Sequence, residues 1–96
     1  MNPELKRLIL DICKKYPVIE NSTGAALQTE SNQYRIVMGY PPALDIIHSL
    51  FVYKKPDNKK IFADVNTDPD LKDIYTAMWA GYIETNGGHR GINRQR

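Results

Sequence analysis

An alternating run of oxygen-bearing side chains is the first candidate for chemistry. The stretch from Asp64 to Asp70 places Asp or Asn at every second position, as calcium loops do. Two positions contradict a calcium loop, because Pro69 stands where the sharp turn needs glycine and Tyr75 stands where a bidentate glutamate belongs. The end of a strand followed by a capped helix explains the run better, so we predict no metal ion and no other cofactor.

The single cysteine and the histidines do not form a catalytic pattern. Cys13 lies near the C-terminal end of a predicted helix, where the helix dipole disfavours a thiolate, so we expect a small apolar residue. His48 is next to Ser49, but neighbours on a strand point to opposite faces and cannot act as base and nucleophile. We therefore predict that the protein is not an enzyme. The alternative is a catalytic set of scattered residues, of which Asp64, His48 and Asp68 are the best candidates.

Four lysines around one predicted hairpin turn are the strongest candidates for binding. We call them the lysine finger: Lys54, Lys55, Lys59 and Lys60. With Asp57 as the one acid, residues 54–60 carry a local charge of +3. Like charges directly opposite each other destabilise a hairpin. Four lysines at one turn can increase solubility, protect a sheet edge or bind an anionic partner. Solvation is the simplest of these three explanations for the lysine finger.

Aromatic and arginine side chains elsewhere offer further contacts for a partner. Tyr53 directly precedes the lysine finger, and Tyr40 is a second candidate for stacking. Trp79 lies beside the apolar stripe of the predicted C-terminal helix, which leaves it either in the core or exposed for a partner. A basic tail over residues 88–96 contributes three predicted binding residues, Arg90, Arg94 and Arg96.

The helices that position these residues have clear boundaries. Asn2 can cap and Pro3 can open a first helix, predicted over residues 3–16. Thr67 or Asp68 can cap a second helix, predicted over residues 69–84. Both segments carry an apolar stripe at helical spacing. The stripes consist of Leu5, Leu8, Ile9 and Ile12 in the first helix, and Leu71, Ile74, Tyr75, Met78 and Tyr82 in the second.

Four strand patterns lie between the two helices. Residues 43–50 also fit a short helix, but their β-branched and aromatic content favours a strand. Short turns between consecutive strands predict a meander. The strands are predicted near residues 25–29, 33–39, 46–54 and 59–65.

The hairpin that carries the lysine finger gives the clearest register. A three-residue hairpin loop needs a residue in the left-handed conformation, and Asn58 can adopt it. The predicted register pairs Lys54 with Lys60 and Tyr53 with Ile61. Both faces of the hairpin base are apolar. We therefore expect this hairpin to lie inside the sheet, with a helix over at least one side.

Length and composition limit the fold class. Ninety-six residues, 42% of them hydrophobic and 25% charged, predict a single globular domain over residues 1–96. No apolar run approaches the roughly 20 residues of a membrane span. A single cysteine excludes an internal disulfide framework and favours the cytoplasm. We predict an α+β fold, with a mainly antiparallel sheet of about four strands and both helices on one face.

Charge and size lead to two hypotheses for function. The net charge of +2 is low for a dedicated nucleic-acid binder, and an acidic stretch over residues 64–73 closely follows the lysine finger. The first hypothesis is a small interaction protein, an adaptor or inhibitor, that docks on a protein partner or on itself. The alternative is nucleic-acid binding through the lysine finger and the arginine-rich tail. Neither hypothesis involves a membrane.

Overall fold

Two helices and five strands form the part of the chain that the computed structural model describes, residues 1–21, 26–39 and 49–85. Neither helix is long and apolar enough to cross a membrane. In chain order the elements are α1 (Pro3–Lys15), β1 (Val18–Glu20), β2 (Ala26–Glu30), β3 (Tyr34–Gly39), β4 (Ser49–Lys54), β5 (Lys59–Asp64) and α2 (Leu71–Thr85).

The five strands form one antiparallel sheet in the order β1-β2-β3-β4-β5. The predicted α+β meander is thus confirmed, but the sheet has five strands where about four were expected. The additional strand is β1, which pairs Val18 with Thr29 and Glu20 with Leu27. Three residues are too few to show alternation in the sequence. The amide of Val18 also donates to the Thr85 hydroxyl at 3.1 Å, so β1 depends on a contact with the distant end of α2.

The predicted boundaries differ slightly from those observed. The turn at residues 69–70 precedes α2, because the Asp68 carboxylate accepts a hydrogen bond from the amide of Asp70 at 2.9 Å. Residue 25 and residues 40–48 lie outside the described residues. The choice between strand and helix for residues 43–50 is therefore answered only at Ser49 and Leu50, which belong to β4.

The start of α1 follows the sequence prediction. The side chain of Asn2 accepts hydrogen bonds from the amides of Glu4 at 2.7 Å and Leu5 at 3.3 Å, and Pro3 opens the helix. These bonds satisfy amides that have no partner inside the helix. The local sequence is sufficient to set this end of the helix.

Both helices pack against the same face of the sheet. Each strand contributes alternate side chains to this face, and each helix contributes its apolar stripe. The buried hydrophobic cluster consists of Ile9, Ile12 and Cys13 of α1, Val18, Leu27, Ile36, Met38, Leu50 and Val52 of the strands, and Leu71, Ile74 and Met78 of α2. The side chains between these strand positions therefore point away from the helices.

The β4–β5 hairpin differs from its predicted register. Val52 pairs with Phe62 as expected, but an irregularity follows, so that Tyr53 pairs with Lys60 and Lys54 with Lys59. Ile61 is the extra residue of a β-bulge, which the alternation of side chains in the sequence does not show. Asn58 has the expected left-handed conformation, with a φ of 56°. The expectation that the hairpin lies inside the sheet is wrong for β5, which is the edge strand of the sheet that the described residues form.

Candidate functional site

The sheet face turned away from the helices carries aromatic and basic side chains. Along β4, Phe51 and Tyr53 alternate with Leu50 and Val52, which are buried under the helices. No element among the described residues packs on this second face, because both described helices lie on the other one. We call it the open sheet face, and define it by Arg35, Val37, Phe51, Tyr53, Lys60 and Ala63.

The strand register arranges these six residues in two rows across β3, β4 and β5. Arg35 lies opposite Tyr53, which in turn lies opposite Lys60. The neighbouring row contains Val37, Phe51 and Ala63. The central side chains of both rows are half-buried, while Lys60 and Ala63 are exposed. An aromatic pair on one strand is thus flanked by a cation on each neighbouring strand.

The cations lie over the aromatic rings. The guanidinium carbon of Arg35 is 4.6 Å from the centroid of the Tyr53 ring. The ammonium of Lys60 is 5.3 Å from the centroid of the Phe51 ring, and the two rings stack with their centroids 6.5 Å apart. A cation within about 6 Å of a ring face is attracted by the negative face of the ring. Positive charge and aromatic surface are therefore concentrated on the same few residues.

The lysine finger divides into one structural lysine and three others. The ammonium of Lys55 pairs with Glu30 and donates to the carbonyl of Ser31 at 3.0 Å, so it attaches the hairpin tip to the end of β2. Lys54 and Lys59 face each other and form no ion pair within the described residues. Lys54 continues the alternation of Leu50 and Val52, so Lys54 and its partner Lys59 lie on the helical side of the sheet, whereas Lys60 lies on the open sheet face.

The other predicted aromatic residue lies elsewhere. Trp79 is half-buried in the helical layer, where it packs edge-on against Tyr75 and Tyr82 at centroid distances of 6.2 and 5.6 Å. It is on the opposite side of the sheet from Tyr53, so the structure does not bring these two residues together. Several further candidates lie outside the described residues, namely Tyr40, His48, Arg90, Arg94 and Arg96.

The acidic stretch is used within the fold. The Asp64 carboxylate accepts hydrogen bonds from the Thr67 hydroxyl and from the amides of Thr67 at 2.9 Å and Asp68 at 3.0 Å. These bonds shape the turn into α2. Asp64 ends β5, roughly 16 Å along the strand from Lys59 at about 3.3 Å a residue. The acidic stretch and the lysine finger, which are close in sequence, therefore lie at opposite ends of β5.

A second set of acidic contacts connects the two helices. The Lys6 ammonium binds Asp70 at 3.2 Å and Asp73 at 2.7 Å. The α-amino group of Met1 binds Asp68 at 2.7 Å and Asp70 at 3.2 Å. The beginning of α1 is thus joined to the beginning of α2, which helps to hold both helices over the same face of the sheet.

These contacts predict that acid destabilises the fold. Hydrogen bonds from Thr67 lower the pKa of Asp64, and the Lys6 ammonium lowers the pKa of Asp70. A carboxylate with a lowered pKa stabilises the fold fully above its ordinary value of about 3.9 and loses that effect as the pH falls below it. We expect the urea midpoint to change little from about pH 7 to pH 5 and to fall between about pH 4 and pH 3.

Two substitutions test this pH dependence. Asp64→Asn should lower the urea midpoint at neutral pH and should lose less on acidification than the native chain, since one of the responsible charges is already absent. Asp57→Asn, at the exposed hairpin tip, is the matched control and should behave like the native chain. Equal acid losses in Asp64→Asn and the native chain contradict the assignment to Asp64.

The cysteine is a structural residue in the helical layer. Cys13 is buried, and its thiol donates to the sulfur of Met78 at 3.2 Å. Burial raises the pKa of the Cys13 thiol to about 12, so very little thiolate is present at neutral pH. Among the described residues, no three His, Cys, Asp or Glu side chains are placed to hold a metal ion.

Arg35 is a member of the site that the sequence alone did not single out. Alternation along β3 places Arg35 and Val37 on one face, a pattern visible in the sequence. The sequence did not show which face the helices leave open, nor that Tyr53 of the next strand lies opposite Arg35. The alternation of Arg35 and Val37 is visible in the sequence, but only the packing of the helices shows that these residues lie on the open sheet face.

The comparisons with known proteins assign no function. No known protein family matches the chain, and no curated protein or solved structure matches it.

Proposed function

We propose that the chain is a small non-catalytic interaction protein that binds a macromolecular partner through its open sheet face. One observation supports this most strongly: two stacked aromatic rings, each under a cation, lie on a face that no described element covers. Tyrosine and arginine are among the residue types that contribute most to binding energy at interfaces.

The remaining chemistry-bearing residues support a non-catalytic role. Asp64 and Asp68 accept hydrogen bonds from backbone amides in the turn that precedes α2. Cys13 is buried against Met78. Since these groups already serve the fold, binding is the simpler function, and we keep the cytoplasm as the expected compartment for a chain with one thiol.

The charges on and beside the open sheet face favour an anionic partner. Arg35 and Lys60 lie on it, one on each side of the aromatic strand. Glu30 lies opposite Arg35 on β2, but Lys55 pairs with it and offsets its charge. Electrostatic complementarity of this kind accelerates association and excludes partners of the wrong sign.

Capture from a host lysate, with and without nuclease, tests this proposal. The immobilised native chain is compared with Arg35→Gln/Lys60→Gln, which removes both cations from the open sheet face. Lys14→Gln/Lys72→Gln is the matched control, because it removes the same charge from exposed positions on the two helices. We expect the material retained by the native chain and the control, protein or nucleic acid, to be absent from the first variant.

The comparison between the two charge variants decides the outcome. Equal retention by Arg35→Gln/Lys60→Gln and by Lys14→Gln/Lys72→Gln contradicts the proposal, and so does the absence of specific retention by the native chain. Circular dichroism and urea unfolding of each variant establish that the fold is intact.

A further inference from the structure

We infer that the partner of the open sheet face is single-stranded nucleic acid, bound with its bases on Phe51 and Tyr53 and its phosphates along the flanking cations. This inference rests on the proposed function, and gives the chemical class of the partner. The aromatic rings of Phe51 and Tyr53, the cations of Arg35 and Lys60, and the position of the cations relative to the rings each support this inference.

The rings favour bases that are free to stack. Phe51 and Tyr53 are stacked on one strand and half-buried on a face that no described element covers. Sheet surfaces that bind single strands use aromatic side chains in this way, because every base has a π-face. In a duplex the bases stack on each other and their faces are not available. A single strand therefore fits the aromatic pair, and a duplex does not.

The cations are placed where a strand crossing the rings has its phosphates. Arg35 on β3 and Lys60 on β5 lie on either side of the aromatic strand. Backbone contacts of this type carry no sequence information, so we expect binding without strong sequence preference.

The existing cation–ring contacts are weak enough to yield to a base. Lys60 is exposed and Arg35 is half-buried, and a contact of this kind changes an equilibrium by about 2- to 30-fold over that range of environments. A base stacked on an aromatic ring strengthens binding roughly 5- to 150-fold. A base can therefore displace Arg35 or Lys60 from its ring and leave the cation free to bind phosphate.

The arrangement favours nucleic acid over an acidic protein surface. Both partners could pair with the cations, but the stacked pair of rings adds surface that planar bases fill best. The acidic stretch, which lies close to the lysine finger in sequence, is at the far end of β5 and does not oppose a polyanion at the hairpin. An acidic protein partner is the other outcome that the test distinguishes.

Fluorescence anisotropy with labelled 20-mers tests the inference. The probes are oligo-dT, oligo-rU and a 20-base-pair duplex, each titrated at several salt concentrations with the full chain. We expect the native chain to bind the single strands at least tenfold more tightly than the duplex, with a Kd below about 10 μM at low salt. Binding of either single strand supports the inference, and their difference distinguishes DNA from RNA.

Two pairs of variants connect binding to the face. Phe51→Leu/Tyr53→Leu keeps apolar volume but removes both π-faces, and should weaken single-strand binding at least tenfold. Tyr16→Leu, which removes an exposed ring at the end of α1, is its control and should have no effect. Arg35→Gln/Lys60→Gln should lower the slope of log affinity against log salt by about 0.7 for each phosphate that the protein no longer neutralises, while Lys14→Gln/Lys72→Gln should leave the slope unchanged. The charge variants keep the test informative if the ring variant fails to fold.

The outcomes separate this inference from the function it rests on. Absent single-strand binding, or binding that neither Phe51→Leu/Tyr53→Leu nor Arg35→Gln/Lys60→Gln weakens, overturns the inference. If an acidic protein is then retained from lysate in a manner that depends on Arg35 and Lys60, the proposed function stands with a different partner. If retention from lysate is also insensitive to these two residues, the inference and the proposed function are both wrong.

Discussion

Leu50→Ala should lower the free energy of unfolding by about 2–5 kcal/mol, and Phe51→Ala in the next position should cost clearly less. Leu50 is 0% exposed and lies in the core under the helices. Phe51 is half-buried on the open sheet face. The larger side chain ordinarily gives the larger loss, since buried Phe→Ala costs about 3–5 kcal/mol. Because both helices pack on the Leu50 side of β4, we expect the loss at Leu50 to exceed the loss at Phe51.

Two valines provide a matched control for this prediction. Val52 is 0% exposed on the helical side of β4, whereas Val37 is half-buried on the open sheet face. Val52→Ala should therefore destabilise more than Val37→Ala, although the same atoms are removed. Urea unfolding followed by circular dichroism measures all four variants. Losses at Phe51 and Val37 as large as those at Leu50 and Val52 mean that the open sheet face is covered, which also removes the basis for the proposed binding site.

The sequence predicted those elements that local interactions determine. The start of α1 depends on Asn2 and Pro3, which act within the first turn. The stripes of both helices follow from helical spacing, and all nine of their residues are buried or packed against the core. Short connections then led to the antiparallel meander. The helix start and the two stripes needed only neighbours in sequence, and the meander needed only the order of the strands; each was confirmed.

Other features depend on distant parts of the chain and were missed. The strand β1 has one buried residue, Val18, and a hydrogen bond to Thr85 of the last helix. The β-bulge at Ile61 shifts the pairing so that Lys60, rather than Ile61, lies opposite Tyr53. A shift of one residue moves every following side chain to the other face. This shift places Lys60 on the open sheet face.

Of the six residues that define the open sheet face, the sequence identified Tyr53 and Lys60 as binding candidates, but not Arg35, Val37, Phe51 or Ala63. The lysine finger and Tyr53 could be identified from charge and position alone. The contribution of Arg35 depends on which side of the sheet the helices occupy. The ion pairs of Lys6 with Asp70 and Asp73 join the two helices across a long separation in sequence. Both partners of these pairs are visible in the sequence, but nothing in it indicates that they meet.

Gly81→Ala should destabilise the fold by about 1–3 kcal/mol, although alanine is the better helix former. Inside an exposed helix the same change should stabilise by up to about 1 kcal/mol. Gly81 lies in α2 where the helix approaches β1 and the end of α1. A Cβ atom there would lie 2.7 Å from the Cγ2 of Val18 and 3.0 Å from the carbonyl oxygen of Cys13. Neither neighbour can move freely, because Val18 is fully buried and the Cys13 oxygen belongs to the backbone.

Two further variants separate this close contact from helix propensity. Ala80→Gly changes the exposed neighbour in the opposite direction and should cost about 1 kcal/mol through propensity alone. Val18→Ala removes the closest atom, so the double variant Val18→Ala/Gly81→Ala should lose less stability than the sum of the two single losses. Urea unfolding of all four chains measures this coupling. If Gly81→Ala stabilises the fold, the gap between α2 and β1 must be wider than in the structure. If the losses of Val18→Ala and Gly81→Ala are additive in the double variant, the close contact is with the Cys13 carbonyl rather than with Val18.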